Sequence, residues 1–302
     1  MNPPGSAGFP DLALLPTEAR EWLNRPCAAR IATVWQDGGR NAYPTDFKVA
    51  EQVLEVFPRQ ADAAAINREH GQLVARELVD RGIGQFLDLG CGYPLLGHTS
   101  DPALRVELDE IVHEASPLAR MVHVDVDRGA VAHSAAMRTA GAGSLGPVVL
   151  GGDILDTAHF LDAIQDLGHL SLSHPVGVFI HDVLPWAADD GQVLAAIACL
   201  RRWLPVGSVL SITHASPELA GGWLAGAERV LRQAGIPYRP RQRSFIAALF
   251  GDWSDLDGGP LRLVPTAQHH DEHSRHSAPL AASAAYAGVA VKPLSVDARA
   301  PR

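Results

Sequence analysis

From Phe86 to Gly92 the chain reads Phe-Leu-Asp-Leu-Gly-Cys-Gly, an apolar run closed by two glycines one residue apart. A run of this kind forms a buried strand, and the glycines let the chain turn sharply where the strand ends. Gly90 and Gly92 reach backbone angles closed to other residues and allow a ligand to approach the main chain, while Asp88 supplies an acceptor near the strand's carboxyl end. The pattern points to a fold whose strand ends present loops to a nucleotide-like ligand; taken alone, the glycine pair also suits a simple tight turn. A dinucleotide fingerprint needs a third glycine at position 95, where this chain has Leu95. Gly90 is the position at which a branched side chain is expected to fill the ligand's space.

Three further apolar runs end in polar or acidic residues at the places a doubly wound sheet presents them. Residues 120–125 read Arg-Met-Val-His-Val-Asp, and the Asp125 carboxylate can accept two hydrogen bonds from a ribose diol. Residues 148–153 read Val-Val-Leu-Gly-Gly-Asp, followed by Ile154, a pair suited to the amino edge and one face of an adenine. Residues 176–182 end in His181 and Asp182. Between these strands lie segments with helical periodicity, and a fifth strand is predicted over 209–213. Helices are predicted over 18–34, 49–57 and 61–81 before the first strand. Later ones follow a cap at Ser100 or Asp101, then over 129–139, 158–166, 191–204 and 217–234. A short helix near 245–250 and two closing strands complete the pattern. Such alternation makes a mostly parallel sheet covered on both faces.

With 302 residues, 47% of them hydrophobic and 20% charged, the chain suits one large α/β domain with a helical extension. A formal charge of −9 argues against a nucleic-acid partner, which would need a basic stripe. Arg239, Arg241 and Arg243 read as a solvated face. Cys27, Cys91 and Cys199 are odd in number and lack metal-ligand spacing, as expected in a reducing compartment. There is no run of about 18 apolar residues, and the first residues lack the basic and apolar regions of a signal peptide. A cytoplasmic enzyme with a small-molecule partner is expected.

The Asp-x-Gly-x-Gly loop is the form by which class I methyltransferases hold S-adenosylmethionine, and the chain resembles the actinobacterial S-adenosylmethionine methyltransferases over nearly its whole length. The resemblance is carried by Ala29-Arg30-Ile31, Gly38-Gly39-Arg40-Asn41 with Asp46 beyond, and Asn67-Arg68. It continues through Phe86 to Pro94, Val124-Asp125-Val126-Asp127, Ser211 to Ala215, and Tyr286-Ala287-Gly288-Val289. It implies a Rossmann-like, seven-stranded sheet, mostly parallel with an antiparallel closing strand, and S-adenosylmethionine as cofactor. It also implies that residues 17–82 form a helical cover and 83–295 the methyltransferase domain, between flexible ends at 1–16 and 296–302. Asn41 and Arg68 would lie near the methionine end, where a guanidinium can take a carboxylate two-pronged. The residue readings and the resemblance together place the cofactor against Asn41, Arg68, Asp88, Gly90, Cys91, Gly92, Asp125, Val126, Gly152, Asp153, Ile154 and His181. No metal is expected.

Two departures from the family bear on the chemistry. Relatives carry Tyr-Asp-Tyr after the first arginine, where this chain has Ala32-Thr33-Val34. Relatives also have small apolar residues where this chain places His181 and Asp182, with Pro185 and Trp186 after them. Methyl transfer needs an aligned nucleophile and, for some nucleophiles, a base. His181 is the expected base, with Asp182 orienting it or binding a substrate amine. Trp35, Tyr43, Tyr93 and Trp186 are candidates for an aromatic acceptor pocket that also favours the sulfonium, and His214 for a further polar contact. The His269, His270, His273 and His276 stretch, with Asp271 and Glu272, reads as a solvated hairpin loop rather than a metal site. The expected activity is methyl transfer to an aromatic or amine-bearing natural product of secondary metabolism. The rival readings are a non-catalytic S-adenosylmethionine-binding protein and a nicotinamide-dependent oxidoreductase, the latter disfavoured by Leu95.

Overall fold

The computed structural model describes residues 17–95, 102–138, 146–270 and 283–294. Four helices come first: α1 (Thr17–Asn24), α2 (Ala28–Asp37), α3 (Pro44–Val56) and α4 (Gln60–Asp80). The helix predicted over 18–34 is thus two helices, because Pro26 lacks the N–H that a helix interior needs. The cover is held by a buried ion pair. The Arg30 Nε donates to Asp46 Oδ2 at 2.6 Å, and both side chains are wholly buried. Asp46 also accepts from the backbone N–H groups of Cys27 and Tyr43, so one carboxylate joins the start of α2 to the cap of α3.

The sheet follows. Its strands are β1 (Gln85–Leu89), β2 (Arg120–Asp125), β3 (Val148–Gly151), β4 (Gly177–His181), β5 (Val209–Ala215), β6 (Ser254–Asp255), β7 (Val264–Pro265) and β8 (Ala285–Val291). The first five run parallel in the order β3-β2-β1-β4-β5, and β8 lies antiparallel beside β5. This is the expected mostly parallel sheet with an antiparallel closing strand, with one addition. The strand beyond β8 is split in two, so eight strands occur among the described residues. β6 pairs with Ala290 and Val291, and β7 with Tyr286 and Ala287. Between them a turn closed by the Gly258 N–H on Asp255 O carries the chain off the edge.

The crossover helices are α5 (Leu108–Ala115), α6 (Arg128–Arg138), α7 (Thr157–Leu167), α8 (Asp190–Trp203), α9 (Pro217–Ala220), α10 (Gly222–Gln233) and α11 (Arg243–Phe250). Two predicted helices are shorter than expected. Residues 102–105 form a separate 3₁₀ turn before α5, and the helix predicted over 217–234 breaks at Gly221 into α9 and α10. Ser100 and Asp101 lie outside the described residues. Leu87, Val122, Val178 and Ile212 from four strands form a core with Phe160, Ile197 and Phe250 from the helices that cover one face. Val74, Leu78, Ile111 and Val112 from α4 and α5 cover the other. Among the described residues no helix is long and apolar enough to cross a membrane.

One arginine departs from the solvated-face reading. Arg239 and Arg243 are exposed, but Arg241 is only 4% exposed. Its guanidinium donates to Leu184 O and Ala187 O at 2.8 Å each, to Asp190 Oδ1 at 2.8 Å, and to His214 Nε2 at 3.2 Å. It therefore ties the loop after β4 to the end of β5. Arg241→Ala leaves two carbonyls without their donor and should lower stability by about 3–5 kcal/mol. Urea unfolding of the variant against the wild type checks this.

Candidate active site

Strand order reverses between β1 and β4, and the resulting crevice at the carboxyl ends of the strands is where a ligand enters an open α/β sheet. A cavity of about 430 Å³ occupies it, a size suited to a small molecule. Its floor is made by the loops after β1, β2, β3 and β4, and its roof by α2 and α4.

The glycine loop lies on this floor. Gly90 and Gly92 both have positive φ, 78° and 65°, a region that side chains with a Cβ enter at a cost. They differ in what a side chain would meet. A Cβ on Gly90 would lie inside the Val183 side chain, whereas nothing stands within 4 Å of one on Gly92. A side chain on Gly90 would thus first meet Val183, which itself lines the cavity, whereas one on Gly92 would enter open space. The Gly90 N–H donates to Val124 O at 2.7 Å, and the Gly92 N–H to Asp125 Oδ2 at 2.8 Å.

The strand-end acids are held by different partners. Asp88 stands opposite His123 in the parallel register, and its Oδ2 lies 2.9 Å from His123 Nδ1. Asp125 accepts from the backbone of Gly92 and Asp127. Burial raises its pKa, and those two amides only partly offset the effect. Asp153 accepts from the Leu155 N–H. Val126, Gly152, Ile154 and Cys91 also line the cavity. Burial raises the Cys91 thiol well above its ordinary range.

Arg68 reaches the cavity from α4, yet it is already engaged. It donates to Leu104 O and to Glu107 Oε1, the latter at 2.8 Å. Burial alone would raise the Glu107 pKa, but the guanidiniums of Arg68 and Arg138 outweigh it and hold that carboxyl low.

His181 and Asp182 both line the cavity, in unequal circumstances. His181 Nε2 is 2.8 Å from Ser211 Oγ, and its Nδ1 abuts Gly71 of α4 so closely that a Cβ there would lie 2.9 Å away. Burial depresses its pKa to about 4. Asp182 is the one non-glycine residue with positive φ among the described residues, at 56°. That conformation is fixed by its N–H, which donates to Thr213 Oγ1 at 3.0 Å and lies 3.2 Å from Thr213 O. Left-handed backbone at a side-chain-bearing residue costs on the order of 1–2 kcal/mol and concentrates at functional sites. The Asp182 carboxylate accepts no hydrogen bond among the described residues, and burial raises its pKa to about 7. No hydrogen bond or ion pair joins it to the His181 ring.

Trp35 and Trp186 line the cavity. Trp186 packs on Tyr238 with ring centroids 4.9 Å apart. Tyr93 also lines it, with its hydroxyl donating to Asp127 Oδ1 at 2.9 Å. Three expected residues are not brought to the cavity wall. Asn41 donates to Pro94 O at 3.4 Å, behind the glycine loop. Tyr43 caps α3 and lies beneath the Arg30 guanidinium, 5.1 Å from ring centre to Cζ. His214 is wholly buried, with Nδ1 on Ala215 O and Nε2 facing Arg241, and burial depresses its pKa to about 3.

Other wall residues carried a weaker sequence signal. Asp127 accepts from Tyr93 and from the Cys27 thiol at 3.2 Å, which joins the cover to the end of β2. Its signal was the repeated Asp-x-Asp spacing. Cys27 itself is pushed up to about 12 by burial and by Asp127. Asn67 leaves its Oδ1 buried and without a hydrogen-bond partner among the described residues, and Gln60 adds a second amide from the same helix. Among the described residues no group of three or more His, Cys, Asp or Glu side chains is placed to hold a metal ion. Residues 271–282 of the His-rich stretch lie outside the described residues.

A family model described as S-adenosyl methyltransferase matches residues 18–293. Among solved structures, a DUF574 family protein from Streptomyces avermitilis is similar at 25% identity, with a TM-score of 0.78 over 89% of this chain and 98% of that one. A candidate methyltransferase from Thermobifida fusca is similar at 23% identity, with a TM-score of 0.76 over 92% of this chain and all of that one. No curated protein matches.

The two glycines should respond differently to a methyl group. Gly90→Ala meets Val183 and is expected to lower the melting temperature by several degrees. Gly92→Ala should cost only about 1 kcal/mol of backbone strain, yet reduce S-adenosylhomocysteine affinity about tenfold or more. Thermal melts alongside calorimetric titration separate the two effects.

Proposed function

Because the chain belongs to the S-adenosyl methyltransferase family, we propose that it methylates a small aromatic or amine-bearing acceptor of secondary metabolism, with Asp182 as the proton acceptor. The observation that carries this reading is Asp182 itself, which lines the cavity from a left-handed backbone with a carboxylate that accepts no hydrogen bond among the described residues.

The wall residues fit the cofactor. Asp88, Glu107, Asp125, Asp127, Asp153 and Asp182 face the cavity against one guanidinium, that of Arg68, and an acidic wall favours a sulfonium and an ammonium. Asp88 would take the ammonium of the amino-acid end and Arg68 its carboxylate. Asp125 and Asp127 would take the ribose hydroxyls, and Asp153 with Ile154 the adenine. The open face of Gly92 admits the ligand beside the main chain. When bound, S-adenosylmethionine supplies an electrophilic methyl group. The same acidic wall disfavours an anionic acceptor, while Trp35 and Trp186 offer flat apolar surfaces to an aromatic one.

Proton transfer is most effective when the base titrates near the working pH. Asp182, at about 7, meets that condition. His181, at about 4, stays neutral and weakly basic. Its hydrogen bond to Ser211 and its contact with Gly71 suit it to shaping the floor beneath the acceptor. In this scheme the acceptor's O–H or N–H bond breaks, its proton passes to an Asp182 oxygen, and the lone pair is left free for the methyl group. α2 and α4, lying over the crevice, limit the access of water to that step.

Asp182→Asn should retain S-adenosylhomocysteine affinity and slow methylation by about a hundredfold or more. The wild-type rate should rise with pH through about 7, as the carboxyl loses its proton, and the variant should lack that limb. Full turnover by the variant, or an unchanged pH profile, would remove Asp182 from this role. Screening a panel of neutral phenols, indoles and amines against carboxylated analogues tests the acceptor class, with anionic compounds expected to be inactive.

A further inference from the structure

Behind the glycine loop, on the side of β1 and β2 away from the acceptor end, ionisable side chains form a buried chain. His123 is wholly buried in the middle of β2. Its Nδ1 lies 2.9 Å from Asp88 Oδ2, and its Nε2 lies 3.6 Å from Asp109 Oδ1 with no hydrogen-bond partner among the described residues. Asp109, in the first turn of α5, takes the Arg138 Nη1 at the end of α6. Arg138 Nη2 donates to Glu107 Oε2 at 3.1 Å, and Glu107 Oε1 accepts from Arg68 at 2.8 Å. The chain begins at Asp88 and ends at Arg68, and both line the cavity.

The arrangement has a consequence for charge. Three carboxylates, those of Asp88, Asp109 and Glu107, lie along this chain with two guanidiniums, which pair with Glu107 and Asp109 and leave Asp88 to His123. Asp88 is left with an imidazole N–H on one oxygen, and its Oδ1 accepts no hydrogen bond among the described residues. A carboxylate fixed by one oxygen and unpaired at the other is prepared for a cation from the cavity side.

We propose that His123 is a positioning residue that holds the Asp88 carboxylate toward the ammonium of the cofactor's amino-acid end. This rests on the cofactor placement proposed above. His123 touches no ligand. It donates through Nδ1, while its burial in the middle of β2, directly opposite Asp88 in the parallel register, keeps that donor aligned with the carboxylate. The effect is confined to the amino-acid end of the ligand, because Asp125, Asp127 and Asp153 at the other end have their own partners.

The test pairs two ligands with two variants. S-adenosylhomocysteine carries the amino-acid group, and 5′-methylthioadenosine keeps the adenosine and sulfur without it. His123→Phe, which keeps a ring and removes the donor, should weaken S-adenosylhomocysteine about tenfold or more and change 5′-methylthioadenosine by less than about twofold. His123→Asn, which can place an amide N–H close to the position of Nδ1, should recover most of the preference and serves if the phenylalanine variant does not fold. Equal losses for both ligands, or no loss for either, would overturn the proposal while leaving the cofactor reading intact. Failure of the wild type to bind S-adenosylhomocysteine would overturn both.

Discussion

Carboxylates removed from bulk water set the terms on which this protein is built. A buried anion is tolerated only with a partner, and the kind of partner decides what the acid can still do. Asp46 is matched by Arg30 and becomes a fixed joint of the cover. Glu107 is matched by Arg68 and Arg138 and is held ionised. Asp125 is satisfied by two main-chain amides, so that the glycine loop and the turn after β2 share one anchor. Asp88 is half satisfied by an imidazole. Asp182 has no such partner among the described residues, and burial raises its carboxyl to about 7 instead. The series runs from purely structural to chemically available, and it tracks how fully the protein itself answers each charge.

Much of the sheet was legible because its strands are short apolar runs stopped by a glycine or an acid, and both stops have local physical causes. The floor of the crevice was legible for the same reason, since Asp88, Gly92, Asp125, Asp153, His181 and Asp182 all sit at strand ends. What depends on distant packing was not. Arg241 looks like its exposed neighbours in a run of alternating arginines, and only the folded loop brings the Leu184 and Ala187 carbonyls around it. His214 follows Thr213 by one residue, and the period-two geometry of a strand turns it away from the face on which Ser211 and Thr213 meet the end of β4.

The roof was harder to read than the floor. Its wall residues, such as Gln60 and Asn67, are ordinary members of an amphipathic helix until α4 is laid across the strand ends. The relation between His181 and Asp182 was also hidden. Adjacent in sequence, they diverge because the chain turns left-handed at Asp182, which sends one side chain toward Ser211 and leaves the other unpartnered.

The joint made by Arg30 and Asp46 has a consequence for how such a molecule can change over time. The helices that roof the cavity fold around their own ion pair and their own apolar cluster, in which Ile31, Val49 and Val53 meet Leu224 and Leu231 of α10. Trp35 and Gln36 project from that unit into the cavity, while the strand-end acids belong to the sheet. In the proposed arrangement, substitutions at Trp35 and Gln36 on α2 recast the wall offered to an acceptor without touching Arg68 or the strand-end acids, so inheritance of the donor site and divergence of the acceptor site are separable within one chain.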